Sequence, residues 1–229
     1  MTLSEFDNEI RKDHNVVCGC DEAGRGPLAG DVFAAAVIFD KDTVIEGIND
    51  SKKLTAKKRE ELFDEIMEKA VDFSIQTATV EEIEDINILN AAMLAMKRAV
   101  EDMDTKPDVC LIDGNKTPEG LECPAIAVVK GDAKSQAVAA ASILAKVARD
   151  RYMEQMAEQY PEYRFEKHKG YGTKLHYQMI DQYGPCGIHR MSFLKKYYAK
   201  KNGHCPYPAP KDGQYRGGRS LRLSCKTRV

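Results

Sequence analysis

No stretch of this 229-residue chain approaches the 18 or so consecutive apolar residues that a membrane-spanning helix requires. The opening residues, Met1-Thr2-Leu3-Ser4-Glu5-Phe6-Asp7, lack the basic-then-apolar order of a secretory leader, so a cytoplasmic location is expected. An excess of one charge is missing as well. Lys and Arg number 34 against 36 Asp and Glu, and composition alone announces no nucleic-acid partner. There is no internal repeat. A thiolate metal set is also lacking: the seven cysteines are odd in number, and Cys18, Cys20 and Cys110 fall in apolar, strand-like runs where free thiols pack as small hydrophobes. Cys186-x-x-His189 with His204-Cys205 makes a poor zinc set, because adjacent His204 and Cys205 would have difficulty reaching one tetrahedral ion.

What is present is an ordinary globular balance, 43% hydrophobic and 31% charged, long enough for one substantial domain. Charge divides unevenly along it. Residues 200–229 carry eight Lys or Arg against one acid, Asp212, with abundant Pro and Gly. The expected organisation is one domain over 1–199 and a basic, disordered tail over 200–229, able to make weak, salt-sensitive contact with phosphate.

Helical and strand signals alternate through the domain. Residues 1–14 suit a short polar helix or arm. Val16 to Asp21 and Asp31 to Phe39 read as strands, joined by a Gly26-Pro27-Leu28-Ala29-Gly30 link short enough for an antiparallel pair. Thr55 suits the N-cap of a helix with an apolar stripe at Leu62, Phe63, Ile66 and Met67. A strand over 73–78, helical periodicity over 80–86 and 88–103, and strands over 108–115 and 125–129 follow. A long Ala-rich helix then opens at Gln136, Pro161 stops it, and two further helical stretches cover about 175–183 and 191–199. The class is α/β, with helices interleaved among strands of a parallel or mixed sheet.

Cys20-Asp21-Glu22-Ala23-Gly24-Arg25-Gly26 places two adjacent carboxylates at the end of a buried strand. Successive side chains alternate across a sheet, so Asp21 and Glu22 can serve one site only where the strand frays or twists, as Ala23-Gly24 permits. Close carboxylates repel unless a cation neutralises them, and all-oxygen ligands suit Mg2+ or Mn2+. The dipeptide alone reads equally well as solvated turn residues. In sheets of this class, however, ligand sites lie beyond the carboxyl ends of strands. Asp113 and Asp132 fall at other strand ends, and neighbouring strands lie about 4.8 Å apart, so four acids can converge. Asp150 competes with Asp132, but the two flank a long helix too far apart to share one metal site. Asp132 is preferred because a helix N-terminus offers free N–H groups to phosphate; on its own it reads also as a helix-terminal charge or cap.

Asp-Glu-Ala-Gly-Arg-Gly-Pro-Leu-Ala-Gly (21–30), Asp-Ser-Lys-Lys-Leu (50–54), Leu-Ile-Asp-Gly-Asn (111–115), Lys-Gly-Asp-Ala-Lys-Ser (130–135), Ala-Ala-Ala-Ser-Ile-Leu-Ala-Lys-Val-Ala-Arg-Asp-Arg (139–151), His-Lys-Gly-Tyr-Gly-Thr (168–173) and His-Arg-Met-Ser-Phe (189–193) together resemble the bacterial ribonuclease HII family, in the family's order. The resemblance implies a ribonuclease H-like mixed sheet flanked by helices. It implies an endonuclease that cuts the RNA strand of RNA–DNA hybrids and cuts 5′ of a single ribonucleotide in duplex DNA, using two Mg2+ or Mn2+ ions and leaving a 3′-hydroxyl and a 5′-phosphate. The family's metal-binding carboxylates carry over to Asp21, Glu22, Asp113 and Asp132, its glycine-arginine-glycine element to Gly24, Arg25 and Gly26, and its ribose-reading tyrosine to Tyr171. Lys52, Lys53, Lys134, Lys169, Lys174, Ser135 and Ser142 are candidates for phosphate contacts that position without reading sequence. A monomer acting on hybrid and ribonucleotide-containing duplex, with no membrane partner, is expected. From the residues alone, a nucleic-acid-binding module with a merely structural acidic cluster, or another phosphoryl-transfer enzyme on the same sheet, stays open.

Overall fold

The computed structural model describes residues 1–48, 54–202 and 223–224. In chain order the elements are α1 (Leu3–Ile10), β1 (Val17–Ala23), β2 (Val32–Ile38), α2 (Ala56–Lys69), β3 (Asp72–Ala78), α3 (Val80–Glu101), β4 (Val109–Asp113), β5 (Ala125–Val128), α4 (Gln136–Gln159), α5 (Phe165–His168), α6 (Lys174–Tyr183), α7 (Met191–Asn202) and β6 (Leu223–Ser224). The sheet runs β5-β4-β1-β2-β3, and β6 pairs with the β3 edge. Neighbours β1, β2 and β3 are antiparallel, whereas β1, β4 and β5 are parallel. This is the mixed sheet flanked by helices that the sequence predicts. The basic tail lies mostly outside the described residues, as do Lys52 and Lys53.

Alternation sorts the core into two faces. Val32, Ala34, Ala36 and Ile38 of β2 pack against α3, while Phe33, Ala35 and Val37 pack towards α2 and α4. Helix α4 lies at the centre. Residues Ala137 to Ala145 are all buried, and a helix buried all round shows no amphipathic stripe to a reader of sequence. Its small side chains let it lie directly on β1. A Cβ added at Gly19 would meet the Ala137 carbonyl carbon at 2.2 Å and the Val138 nitrogen at 2.3 Å. Five residues of helix from Ala137 advance about 7.5 Å, close to the roughly 6.6 Å that two strand residues span from Gly19. Ser142 is thereby carried to the level of Asp21.

Side-chain caps set the helix starts. Thr55, Thr79, Ser135 and Thr173 each accept a backbone N–H from the first turn of the helix that follows. The break expected near residue 87 appears as a kink inside α3, where Asn87 has φ 67° and its side chain accepts the N–H groups of Leu89 and Asn90. Among the described residues no helix is long and apolar enough to cross a membrane.

Candidate active site

Strands β1 and β4 are parallel and in register, and their ladder ends with Cys20 beside Ile112, so the next residues, Asp21 and Asp113, lie side by side just past it. Both therefore face α4. Asp21 is buried, its Oδ1 accepts the Glu22 N–H at 2.7 Å, and the Ser142 hydroxyl donates to its carboxylate. Burial pushes the Asp21 carboxyl well above the usual range, and the charges of Glu22 and Asp113 push it further. Burial also raises Glu22, against the pull of Arg25, whose guanidinium lies 3.2 Å from its Oε1. β1 does not fray at the acidic pair. It stays paired with β2 through Ala23, and the chain turns at Gly24, where φ is +110° and a Cβ would lie 2.3 Å from Arg149 Nε.

The fourth acid arrives from the next strand. β5 ends beside Asp113, Lys130 takes a left-handed turn at φ 56°, and a short 3-10 turn over Gly131–Ala133 carries buried Asp132. The Gly131 N–H donates to Asp113 Oδ1 at 2.7 Å, tying this turn to the cluster. The start of α4, expected to offer N–H groups to phosphate, is filled from within. Asp7 of α1 accepts the Ala137 N–H at 2.9 Å, and Ser135, fully buried, accepts that of Val138 at 3.2 Å. Ser135 is thus part of the helix cap, and Ser142 is a partner of Asp21. Neither faces out of the fold.

Tyr171 is 43% exposed and stands beside the glycine-arginine-glycine turn: a Cβ at Gly26 would sit 3.6 Å from its Cε1. Lys146 Nζ and the Arg149 guanidinium each lie 5.9 Å from its ring centre. Lys134 and Lys174 are exposed, Lys169 is paired with Glu154 at 2.7 Å, and Asp150 holds Lys146 at 2.6 Å.

Two residues that the sequence reading passes over hold the rim in place. Arg149 and Arg190 are fully buried. Arg149 donates to the carbonyls of Ala29, Asp31 and Lys169, and Arg190 to those of Pro27 and Gly30 at 2.6–2.9 Å. Buried guanidinium groups need every donor satisfied, and carbonyls of the 25–31 loop supply that need.

The donor set is all carboxylate, with Asp21 and Asp132 buried and Glu22 and Asp113 half-buried, and Arg25 pairs with Glu22 at its edge, which fits a hard divalent ion. Among the described residues no group of three or more His, Cys, Asp or Glu side chains stands ready to hold a metal.

The sequence pattern of the ribonuclease HII family matches residues 18–196. Ribonuclease HII of Caldicellulosiruptor saccharolyticus is 54% identical over 189 residues, covering 82% of this chain and 92% of that one. That of Idiomarina loihiensis is 58% identical over 178 residues, 78% of this chain and 95% of its own. The crystal structure of ribonuclease H2 from Pyrococcus horikoshii OT3 superposes with a TM-score of 0.66 at 28% identity, covering 82% of this chain and all of that one. With sequence likeness running through nearly the whole length of these relatives, the chain belongs to the ribonuclease HII family and is an RNase H endoribonuclease, a hydrolase of RNA.

Proposed function

We propose that the enzyme cuts the RNA strand of RNA–DNA hybrids and, in duplex DNA, cuts 5′ of a lone ribonucleotide, leaving a 3′-hydroxyl and a 5′-phosphate. Asp21, Glu22, Asp113 and Asp132 would hold Mg2+ or Mn2+. The observation that carries this reading is the side-by-side placement of buried Asp21 and half-buried Asp113 just past the β1–β4 ladder, with Glu22 against them. Two such ions, when bound, would supply Lewis acidity for activating water and neutralising charge on the leaving oxygen.

The chain's own groups bind and orient. Telling RNA from DNA requires contact with the 2′-hydroxyl. Gly24 makes room for the Arg149 guanidinium beneath the turn and exposed Gly26 bares its backbone, so polar groups of a turn that Arg149 and Arg190 hold in place can approach a ribose closely. Tyr171, half-exposed across that turn, can offer its hydroxyl and present its ring to the deoxyribose on the 3′ side of the junction. Arg25, Lys134 and Lys174 are exposed cations suited to phosphate. Ser142 keeps the Asp21 carboxylate oriented. The enzyme would work as a monomer in the cytoplasm.

The test uses an end-blocked DNA duplex with one ribonucleotide, incubated with Mg2+ and then with chelator, with product termini mapped. Cleavage 5′ of the ribonucleotide, giving a DNA 3′-hydroxyl only when metal is present, is expected. A duplex bound but uncut in both Mg2+ and Mn2+ would sink the reading.

A further inference from the structure

Three of the five histidines meet in one buried cluster behind Tyr171, arriving from α5, α6 and the segment before α7. His168 and His176 stack with centroids 4.3 Å apart, His189 lies 5.1 Å from His176, and Phe165 closes the side of the stack. Phenylalanine or leucine would fill this volume without the cost of burying polar nitrogens, so the hydrogen bonds need a reason.

Following the protons gives one. His189 Nδ1 lies 2.9 Å from the Cys186 N–H, 3.1 Å from its Sγ and 3.3 Å from its carbonyl; the shortest contact, from an N–H that can only donate, assigns that nitrogen as an acceptor and puts the proton of His189 on Nε2. His189 Nε2 lies 3.0 Å from His176 Nε2, so His189 donates there and His176 carries its proton on Nδ1. His176 Nδ1 in turn lies 3.0 Å from the Tyr171 carbonyl and donates to it. His168 is fixed independently: its Nδ1 accepts the Gly170 N–H at 3.2 Å, and its Nε2–H reaches the Tyr163 carbonyl at 3.0 Å. One tautomer assignment satisfies all three rings. Both facing Nε2 atoms could not be protonated at once without breaking the line. Burial and the neighbouring imidazoles hold His176 down at about 4 and His189 down at about 3, so both are neutral at physiological pH.

Both ends of this line are anchored on the active-site rim. At one end the Arg190 N–H donates to the Leu28 carbonyl, and the Gly30 N–H to that of Ile188, so the 186–190 segment is stitched to the loop after Gly24-Arg25-Gly26. At the other, Tyr171 has its N–H bound to His168 and its carbonyl shared between His176 and the Thr173 N–H.

We propose that His176 and His189 are positioning residues: a one-way relay from Cys186 N–H through both imidazoles to the Tyr171 carbonyl sets the Tyr171 ring against the Gly24–Gly26 turn, and so supports selectivity for the lone ribonucleotide. The proposal rests on the role given to Tyr171 above.

The experiment compares His176→Phe, Tyr171→Ala and the double variant on two substrates, duplex DNA with one ribonucleotide and a uniform RNA–DNA hybrid. His176→Phe should lower kcat on the lone ribonucleotide about 10- to 100-fold with KM little changed, as misplacement of a positioned group does, and should spare the hybrid more. The double variant should fall no further than Tyr171→Ala alone. His176→Asn, which keeps a donor where Nδ1 stands, should recover most of the loss. Nitrogen-15 spectra at pH 7 should show Nδ1–H on His176 and Nε2–H on His189. Losses that multiply in the double variant, an Asn variant as impaired as Phe, or the opposite tautomers overturn the relay while leaving Tyr171 its role. A Tyr171→Ala variant with unchanged selectivity removes that role and the relay with it. If His176→Phe does not fold, His189→Leu with His189→Gln as its rescue makes the same comparison from the other end, and the spectra need no variant.

Discussion

Asp132 and Asp150 put one question to α4 from its two ends. Asp132 is buried in the turn that Gly131 ties to Asp113, whereas Asp150 sits about 21 Å along the helix axis from Gln136 and is occupied by Lys146. Asp132→Asn should cost more than about 100-fold in cleavage rate, since even residues that merely support a metal's ligands are worth about 10- to 100-fold. Asp150→Asn should stay within about fivefold, the scale of one partly exposed ion pair. Steady-state rates on a lone-ribonucleotide duplex decide between them, and the reverse order would refute the assignment. Ser142→Ala belongs to the same scale. It removes the hydroxyl that orients Asp21 and should slow cleavage about 10-fold while moving the urea midpoint little; a large stability loss with normal activity per folded molecule would make Ser142 a core residue only. Asp21, Glu22 and Asp113 stand out in the sequence because carboxylates that close apolar runs are conspicuous there. Ser135 and Ser142 do not, since what a helical hydroxyl faces depends on which side of α4 meets β1, and that side is fixed by the bare backbone of Gly19, far away in sequence. Arg149 and Arg190 were missed for a related reason: their acceptors are backbone carbonyls, which carry no sequence signature.

Among the elements, the contact of α4 with β1 determines where the carboxylates stand. Gly19→Ala would thrust a methyl into the Ala137 backbone, where no flexible side chain can give way, and should destabilise the fold by about 3 kcal/mol, the upper range for overpacking. Urea unfolding followed by far-ultraviolet circular dichroism measures it, and a change below about 1 kcal/mol would mean that α4 slides aside easily. Strands and helices themselves were readable. Apolar runs, threonine and serine caps and the Asn87 break each act through neighbours within four residues. Two element-scale features were not. β1 continues through Ala23 rather than fraying at Asp21, because Phe33 and Ala34 of β2 remain available to pair with it. The short polar helix or arm expected at 1–14 is helix α1, and what the sequence does not show is that its Asp7 reaches Ala137 across 130 residues and fills the start of α4, an interaction that no local pattern encodes.

For the molecule as a whole, the carboxylate cluster is a stored repulsion. Asp21 in the folded state has a pKa raised above its unfolded value, so its ionised form disfavours folding, and this penalty grows as pH rises past the ordinary carboxylate range. Asp21→Asn in metal-free protein should therefore raise stability at pH 7, by about 1 kcal/mol, as substitutions that relieve a strained active site commonly do. The gain should shrink as pH falls and the parent carboxyl takes up its proton. Divalent metal should separate the two proteins in the other direction, favouring the parent. Mn2+ should lift the Tm of the parent by mass action on the folded state, and should lift that of Asp21→Asn much less. Thermal unfolding in chelator and in Mn2+, at pH 7 and near pH 4.5, tests both. If the variant is less stable than the parent at pH 7 without metal, the hydrogen bonds from Ser142 and the Glu22 N–H outweigh the repulsion, and the cluster is held together by the protein alone. If it is more stable but cleaves nothing, the fold carries these acids at a loss in order to hold a cation, which is the relation between stability and function that a cluster of mutually repelling carboxylates requires.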